Sequence, residues 1–424
     1  MCLTIPAKII SINNQEARVQ IKKGTRDVYI GTLTDAKIGD WILITSAAGI
    51  KKIDEKEAKE IAQLLEDARN INQEKINPTL NEIFSRAWNG ALKKDDLICL
   101  LKLKNKEDIE ALLSEANTMR YHFLRDFICL HGIIEFSNYC ANNCVYCGLR
   151  RDNQAVRRYR MPIDEIIEIA DEAVNKIGYK MLVLQSGFDL GYSDGYLIEM
   201  INRISEKCRA FLFLSIGERS LGLYKKLKNA GARGVLFRFE TSNPKLYETL
   251  HPQESAKGNF QNRFFLLREL KKIGYYVSSG PLIGIRGQTE EDLADDILKM
   301  KELGAQMISM GPFIPCDNTP FANEKSGDVE MSLKMIAVSR LALPRARIPV
   351  TTALETLDLQ SARGQGLTGG ANALMFNLTP AKYRKNYKIY PNKFYGREIN
   401  WEKMALYPGE EGYEMLKKEL GVEI

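Results

Sequence analysis

The run Asn138-Tyr-Cys-Ala-Asn-Asn-Cys-Val-Tyr-Cys-Gly-Leu149 places Cys140, Cys144 and Cys147 in a C-x3-C-x2-C spacing. It directly follows an apolar, strand-like segment, Gly132 to Phe136. Three thiolates this close can each hold one iron of a [4Fe–4S] cluster, leaving the fourth iron without a protein ligand. Such an iron can bind a small molecule and pass it an electron. That is how S-adenosylmethionine is split into methionine and a 5′-deoxyadenosyl radical, chemistry the cofactors carry and the protein positions. A structural zinc site is the competing reading, but zinc asks for four ligands, commonly two C-x2-C pairs or a Cys/His set. The chain has eight Cys and three His, with no second C-x2-C pair, and Cys99, Cys129, Cys208 and Cys316 are scattered. A disulfide framework suits neither this length nor a start that shows nothing like a signal peptide. Tyr146, just before the third cysteine, is placed either to lie against an adenine ring or simply to pack.

Outward from the cysteines, short apolar strands alternate with helices. The expected strands are Gly132–Phe136, Met181–Gln185, Phe211–Ile216, Gly234–Phe239, Tyr276–Ile283, Met307–Met310, Pro349–Ala353 and Ala373–Phe376. Eight such units predict an α/β fold, a (β/α)8 TIM-type barrel over residues 127–395. The strands are almost continuously apolar, as when both faces are buried. Active sites of such barrels lie at the C-terminal strand ends. There the sequence sets the cysteine loop, Gln185-Ser-Gly187, Ser215 with Glu218, Arg238-Phe-Glu240, Thr351-Thr352 and Asn377. Arg238 and Glu240 stand out: two charges two apart in an apolar strand share a face and need partners if buried. Arg238 suits a carboxylate by its fork geometry, and Glu240 suits an amine or a hydroxyl. Arg263, on the next helix, serves the same carboxylate or is merely solvated.

Before the barrel, five short alternating strands between Ala7 and Ile53 predict a small, OB-like β-barrel over residues 1–70. Asp54, with Glu57 three positions on, starts its trailing helix. Residues 71–126 read as a helical connector, and 396–424 as a C-terminal extension. A net charge of +6, with signs interspersed, gives little reason to expect nucleic acid. No run of about 18 apolar residues predicts a membrane span. The thiols point to a reducing cytoplasm.

From Ile133 to Lys393 the chain resembles the HydE family, radical-SAM maturases of [FeFe]-hydrogenase. The matching stretches include Ile133-Ile-Glu-Phe-Ser-Asn138, Cys147-Gly-Leu-Arg-Arg-Asp152, Ser215-Ile-Gly-Glu218, Glu240-Thr-Ser-Asn-Pro244, Gly311-Pro-Phe-Ile-Pro315 and Pro349-Val-Thr-Thr-Ala353. The resemblance implies a cluster on Cys140, Cys144 and Cys147, with S-adenosylmethionine bound to it. It implies cofactor contacts at Arg238, Glu240, Arg263 and Tyr390, with Tyr146, Ser215 and Glu218 beside them. Gln185, Thr351 and Thr352, together with Ser215, would line the substrate cavity. The implied substrate is a small iron–cysteine species with carbonyl and cyanide ligands, and the implied electron donor a flavodoxin or ferredoxin. Two departures stand. HydE members often carry His where this chain has Phe239, and no cysteine follows Cys316, so no second cluster is expected.

The first 70 residues resemble the HypC/HupF hydrogenase chaperones, through Met1-Cys-Leu-Thr-Ile-Pro6, Gly39-Asp-Trp-Ile-Leu43 and Lys52-Ile-Asp-Glu-Lys-Glu-Ala58. That resemblance makes Cys2 a candidate iron carrier and other maturation proteins candidate partners. The family's partner histidine appears here as Thr45, and Ala7 replaces a glycine. The other readings are a radical enzyme acting on an amino acid, like methylornithine synthase or biotin synthase, and a non-catalytic iron carrier or scaffold.

Overall fold

A computed structural model describes residues 5–21, 24–31, 33, 35–45, 48–64, 77–125, 128–252 and 259–393. Cys2 and the extension over 396–424 lie outside the described residues. The chain divides into two units between Asn81 and Glu82.

In the first unit, β1 (Ile5–Asn13), β2 (Glu16–Ile21), β3 (Gly24–Tyr29), β4 (Trp41–Thr45) and β5 (Ala48–Ile53) close into a barrel in the order β1-β2-β3-β5-β4. Alternate residues Ala7 and Ile9, Ala17 and Val19, Val28 and Ile30, and Ile42 and Ile44 fill it. The period of two therefore sets the inward face of each strand. The third strand begins at Gly24. Ile21 and Gly24 are cross-strand partners, and Gly24 takes the left-handed φ of +109° that begins the return strand. A helix over residues 55–64 follows. It is capped by Asp54, whose Oδ1 accepts from the Glu57 amide at 2.7 Å.

In the second unit, helices Lys94–Leu101 and Lys106–Leu124 pack on the later helices Glu290–Leu303 and Val329–Ala342. The main sheet then holds β6 (Cys129–Ser137), β7 (Met181–Ser186), β8 (Phe211–Ser215), β9 (Ala232–Leu236), β10 (Tyr276–Ser279), β12 (Met307–Ile308), β14 (Pro349–Val350) and β15 (Ala373–Asn377). All pair parallel, in the order β12-β10-β9-β8-β7-β6-β15-β14. A parallel bridge between Met307 and Arg347 brings the two edges together, so the eight strands form a nearly closed barrel. Its interior is filled by Cys129 and Ile133, Met181 and Val183, Phe211 and Phe213, Tyr276, Met307, Ala373 and Met375.

Five expected strands are shorter here, and three of them for a local reason. Tyr276–Ile283 splits in two because Pro281 has no N–H for the ladder. Gly280 also presses on the Ser309 backbone, where an added Cβ would come within 2.8 Å of the carbonyl carbon. Pairing resumes beyond the break as β11 (Leu282–Ile283) with β13 (Gly311–Pro312). The fourth strand ends at Leu236, and Arg238 and Glu240 lie past it. The seventh ends at Val350, because Thr351 is the N-cap of helix Thr352–Leu357.

Arg340, on helix Val329–Ala342, is wholly buried. It donates to the carbonyls of Pro344, Ala346 and Gly370 at 2.8 Å and to Asn372 Oδ1 at 2.9 Å. The same Asn372 oxygen accepts from the Ile348 amide at 2.9 Å, so one guanidinium ties together the segments entering β14 and β15. Arg340→Ala strips three carbonyls of a charged donor. It is expected to lower the stability of the barrel by about 3 kcal/mol or more, read as a fall in the urea midpoint.

Candidate active site

The C-terminal strand ends surround a cavity of about 320 Å³. The cysteine loop forms one wall and is held almost entirely through its backbone. The Ala141 amide donates to the Phe188 carbonyl at 2.8 Å, that of Val145 to Leu250 at 3.1 Å, and that of Gly148 to Ile389 at 2.8 Å. Arg158 donates to four carbonyls around the loop: Asn138 (2.6 Å), Leu149 (2.9 Å), Arg150 (2.7 Å) and Asn153 (3.2 Å). Two glycines let the chain come this close. A Cβ on Gly187 would strike the Tyr139 carbonyl and sit 2.9 Å from the Cys140 Cβ. A Cβ on Gly148 would meet the Lys388 carbonyl and lie 2.6 Å from the Cys316 sulfur.

Cys140, Cys144 and Cys147 all face the cavity. Burial, and then the neighbouring Cys140, pushes the Cys147 thiol up to about 12. Among the described residues no three His, Cys, Asp or Glu gather around a single ion. A [4Fe–4S] cube asks for something different, since each cysteine binds its own iron.

The rest of the wall brings together Tyr146, Gln185, Ser215, Arg238, Glu240, Arg263, Thr351, Thr352 and Tyr390. Glu218 is outside the wall and holds Arg263 instead, Oε1 to Nε at 3.0 Å. Arg263 also donates to the Arg238 carbonyl at 3.1 Å and lies over the Phe237 and Tyr247 rings. Burial opposes its charge, but Tyr247 and Glu218 more than restore it, so its pKa rises above the ordinary guanidinium value. It is thus a buried, paired residue rather than a solvated one. Arg238 and Glu240 lie 3.1 Å apart. Arg238 Nε and Thr351 Oγ1 are buried without a hydrogen-bond partner, while Glu240 Oε2 has only its ion pair with Arg238. Charged groups of both signs with hydrogen-bonding capacity to spare, beside three thiols, fit a zwitterionic cofactor that brings its own carboxylate, amine and hydroxyls.

Three wall or support residues escaped sequence reading: Glu135, Lys393 and Tyr387. Glu135, fully buried on β6, pairs with Lys393 and accepts from Asn377 Nδ2 at 2.8 Å. The Tyr387 hydroxyl accepts from Gln185 Nε2 at 3.2 Å, and Tyr390 bonds Thr352 Oγ1 at 2.9 Å. The segment Tyr387–Lys393 thereby crosses the mouth. A charge in an apolar strand, the signal that marked Arg238 and Glu240, could have marked Glu135 too. Nothing local marks Lys393 or Tyr387, whose partners are some two hundred residues away.

Residues 134–300 match the radical SAM superfamily, and residues 1–65 match the HupF/HypC family. The [FeFe] hydrogenase maturase subunit HydE of Thermotoga maritima is 42% identical over 315 residues, covering 74% of this chain and 88% of that protein. The chain belongs to the HydE family. It is a radical SAM enzyme, and its cofactors are a [4Fe–4S] cluster and S-adenosylmethionine. The crystal structure of methylornithine synthase, PylB, superposes with a TM-score of 0.64 at 28% identity, over 69% of this chain and 85% of that one. The fold is shared with the hydrogenase maturase HydG, with a TM-score of 0.67 at 21% identity over 82% of this chain and 78% of that one. The departure at Phe239 does not reach the cavity. The ring is fully buried on the opposite side of the segment and packs on Phe264 with centroids 5.5 Å apart. Among the described residues no helix is long and apolar enough to cross a membrane.

Glu240 sits at φ +67°, the left-handed region that costs a non-glycine residue energy. Its own amide donates to the Gly280 carbonyl at 3.2 Å, and its carbonyl accepts from Leu282 at 2.8 Å. Asp296 holds the next turn, accepting from the Ser242 amide at 2.5 Å. Its other oxygen is buried without a partner, and burial pushes the carboxyl up to about 8. The folded chain therefore keeps this proton to a higher pH than the unfolded chain does. Stability contributed here is complete below about pH 4 and is lost as pH rises toward 8, by several kcal/mol in order of magnitude. Asp296→Asn keeps the acceptor and removes the titration. It is expected to match wild type near pH 4 and to exceed it at pH 8, measured by denaturant midpoints at both.

Proposed function

We propose that this enzyme acts on a small iron–cysteine organometallic precursor in the assembly of the [FeFe]-hydrogenase active centre. When bound, the cluster and S-adenosylmethionine supply a 5′-deoxyadenosyl radical. Cys140, Cys144 and Cys147 hold the cluster. Arg238 takes the cofactor carboxylate, Glu240 its amine or ribose, and Arg263, fixed by Glu218, keeps the strand-four segment in place. Tyr146 and Tyr390 border the same ligand, with Ser215 beside it. Gln185, Thr351 and Thr352 present an amide and two hydroxyls to the substrate, and the buried Glu135–Lys393 pair holds the covering segment over them.

The observation that carries this reading is the cavity itself, with three cysteines and charged groups of both signs on its wall. At about 320 Å³ it suits a small molecule rather than a polymer. A second reading, an enzyme acting on a free amino acid, is favoured by the likeness to PylB. Anaerobically reconstituted protein given dithionite and S-adenosylmethionine is expected to form 5′-deoxyadenosine, and Cys144→Ala is expected to form none. Arg238→Ala should raise the KM for S-adenosylmethionine by about tenfold or more, as loss of a charged contact implies. Stimulation by an iron–cysteine precursor supports the maturase reading. Turnover on an amino acid with no such stimulation replaces it with the second.

The fused HypC-like unit gives the barrel a neighbour suited to carrying iron. Cys2 would hold an iron–cyanide–carbonyl species and deliver it at a raised effective concentration. Reducing equivalents would come from a flavodoxin or ferredoxin, and the free thiols suit a reducing cytoplasm. Cys2→Ala is expected to leave 5′-deoxyadenosine formation with free precursor unchanged and to abolish iron retention by the first unit, measured as metal bound per chain. Equal iron retention in both proteins rules out carriage by Cys2.

A further inference from the structure

Beside the cysteine loop lies a second cavity of about 880 Å³, which shares Tyr390 and Lys393 with the first. Val156 and Cys316 contribute to its lining, with Arg384 from the helix Ala381–Arg384 and Lys385 and Lys388 from the chain that follows it. Asp317 is the acidic residue among them. Lys385 and Lys388 are exposed, and neither pairs with a carboxylate among the described residues. The cleft therefore carries an excess of positive charge on solvated side chains.

Only a thin wall separates it from the cluster loop. Cys147 faces the substrate cavity, and the next residue, Gly148, presses directly on the Lys388 backbone and the Cys316 sulfur of the cleft. The Gly148 amide donates to the Ile389 carbonyl at 2.8 Å, which fixes this contact. On its other side the cluster faces the cavity that cofactor and substrate must fill. An electron needs another way in, and the Gly148 backbone is all that stands between Cys147 and these cleft contacts.

We propose that this cleft is the docking face for a small acidic protein that carries one electron, and that the electron enters the cluster across the Cys147–Gly148 backbone. One electron leaves the reduced carrier and one arrives at the cluster, with no atom exchanged. The proposal rests on Cys140, Cys144 and Cys147 being the cluster ligands. Opposite charge steers such a carrier at long range and is screened by salt. Exposed lysines suit a protein surface met in solution, since a small anion held tightly is usually gripped by buried donors.

The test is the full-length K385E/K388E double variant, whose two positions lie outside the catalytic cavity. An acidic flavodoxin serves as the probe. Its Kd is measured by fluorescence anisotropy on protein with and without cluster, at about 0.05 M and about 0.3 M salt. Wild type is expected to bind at low salt and weaken steeply at high salt. The variant should bind about tenfold or more weakly at low salt and lose most of the salt dependence. Flavodoxin-driven 5′-deoxyadenosine formation should fall with it, while the dithionite-driven rate, which needs no docking, stays the same. Unchanged flavodoxin affinity overturns the proposal, and so does an equal fall in both rates. If wild type forms no 5′-deoxyadenosine even with dithionite, the assignment of the cysteines fails instead, and the Kd comparison still decides the docking face.

Discussion

Under the function proposed above, the mouth of the barrel answers to one constraint: three thiols must serve a four-iron cube and leave one corner bare. A loop that does this cannot wrap its cofactor. It must be fixed from behind, so that one face stays open to the cavity. The chain meets this with close backbone contacts and one arginine. Gly187 lets the end of β7 press against Tyr139 and Cys140, and Gly148 lets the covering segment press from the other side. Arg158 gathers four carbonyls that have no strand or helix to satisfy them. The parallel closure of eight strands brings these contacts to one end of the molecule, although they come from positions as far apart as 138 and 389.

The second theme is the handling of buried charge. Each ion at the mouth is paired or multiply bonded: Arg263 with Glu218, Arg238 with Glu240, Lys393 with Glu135. Taken alone, such pairs contribute little to stability, because desolvation offsets much of their attraction. Their contribution here is to position. Arg263 reaches the Arg238 carbonyl, Asp296 holds the turn after Glu240, and Glu135 anchors the segment that bears Tyr387 and Tyr390. The strained φ of Glu240 persists because its amide, its carbonyl and the next turn are all held by neighbours.

Much of this was legible in the sequence, and the illegible parts share a cause. The cysteine spacing, the eight-fold alternation and the five short N-terminal strands are local patterns, and local patterns survive reading one residue after another. Arg238 and Glu240 were visible because charge is conspicuous in an apolar run. Strand ends were less legible. The break at Pro281 and the early end at Leu236 depend on which neighbour supplies the next hydrogen bond. Lys393, Tyr387 and the role of Gly148 were invisible for a stronger reason: each matters only through contact with a residue far away in the chain. Arg263 read ambiguously until the fold placed Glu218 beside it.

The most direct test of the central claim is Mössbauer spectroscopy on protein reconstituted with iron-57, with and without S-adenosylmethionine. An open corner facing the Arg238–Glu240 wall predicts that one iron subsite of the four changes its signal when the cofactor is added, while the three cysteine-bound irons stay nearly unchanged. Four subsites indifferent to the cofactor, or a protein that binds zinc in place of a cluster, would contradict the account.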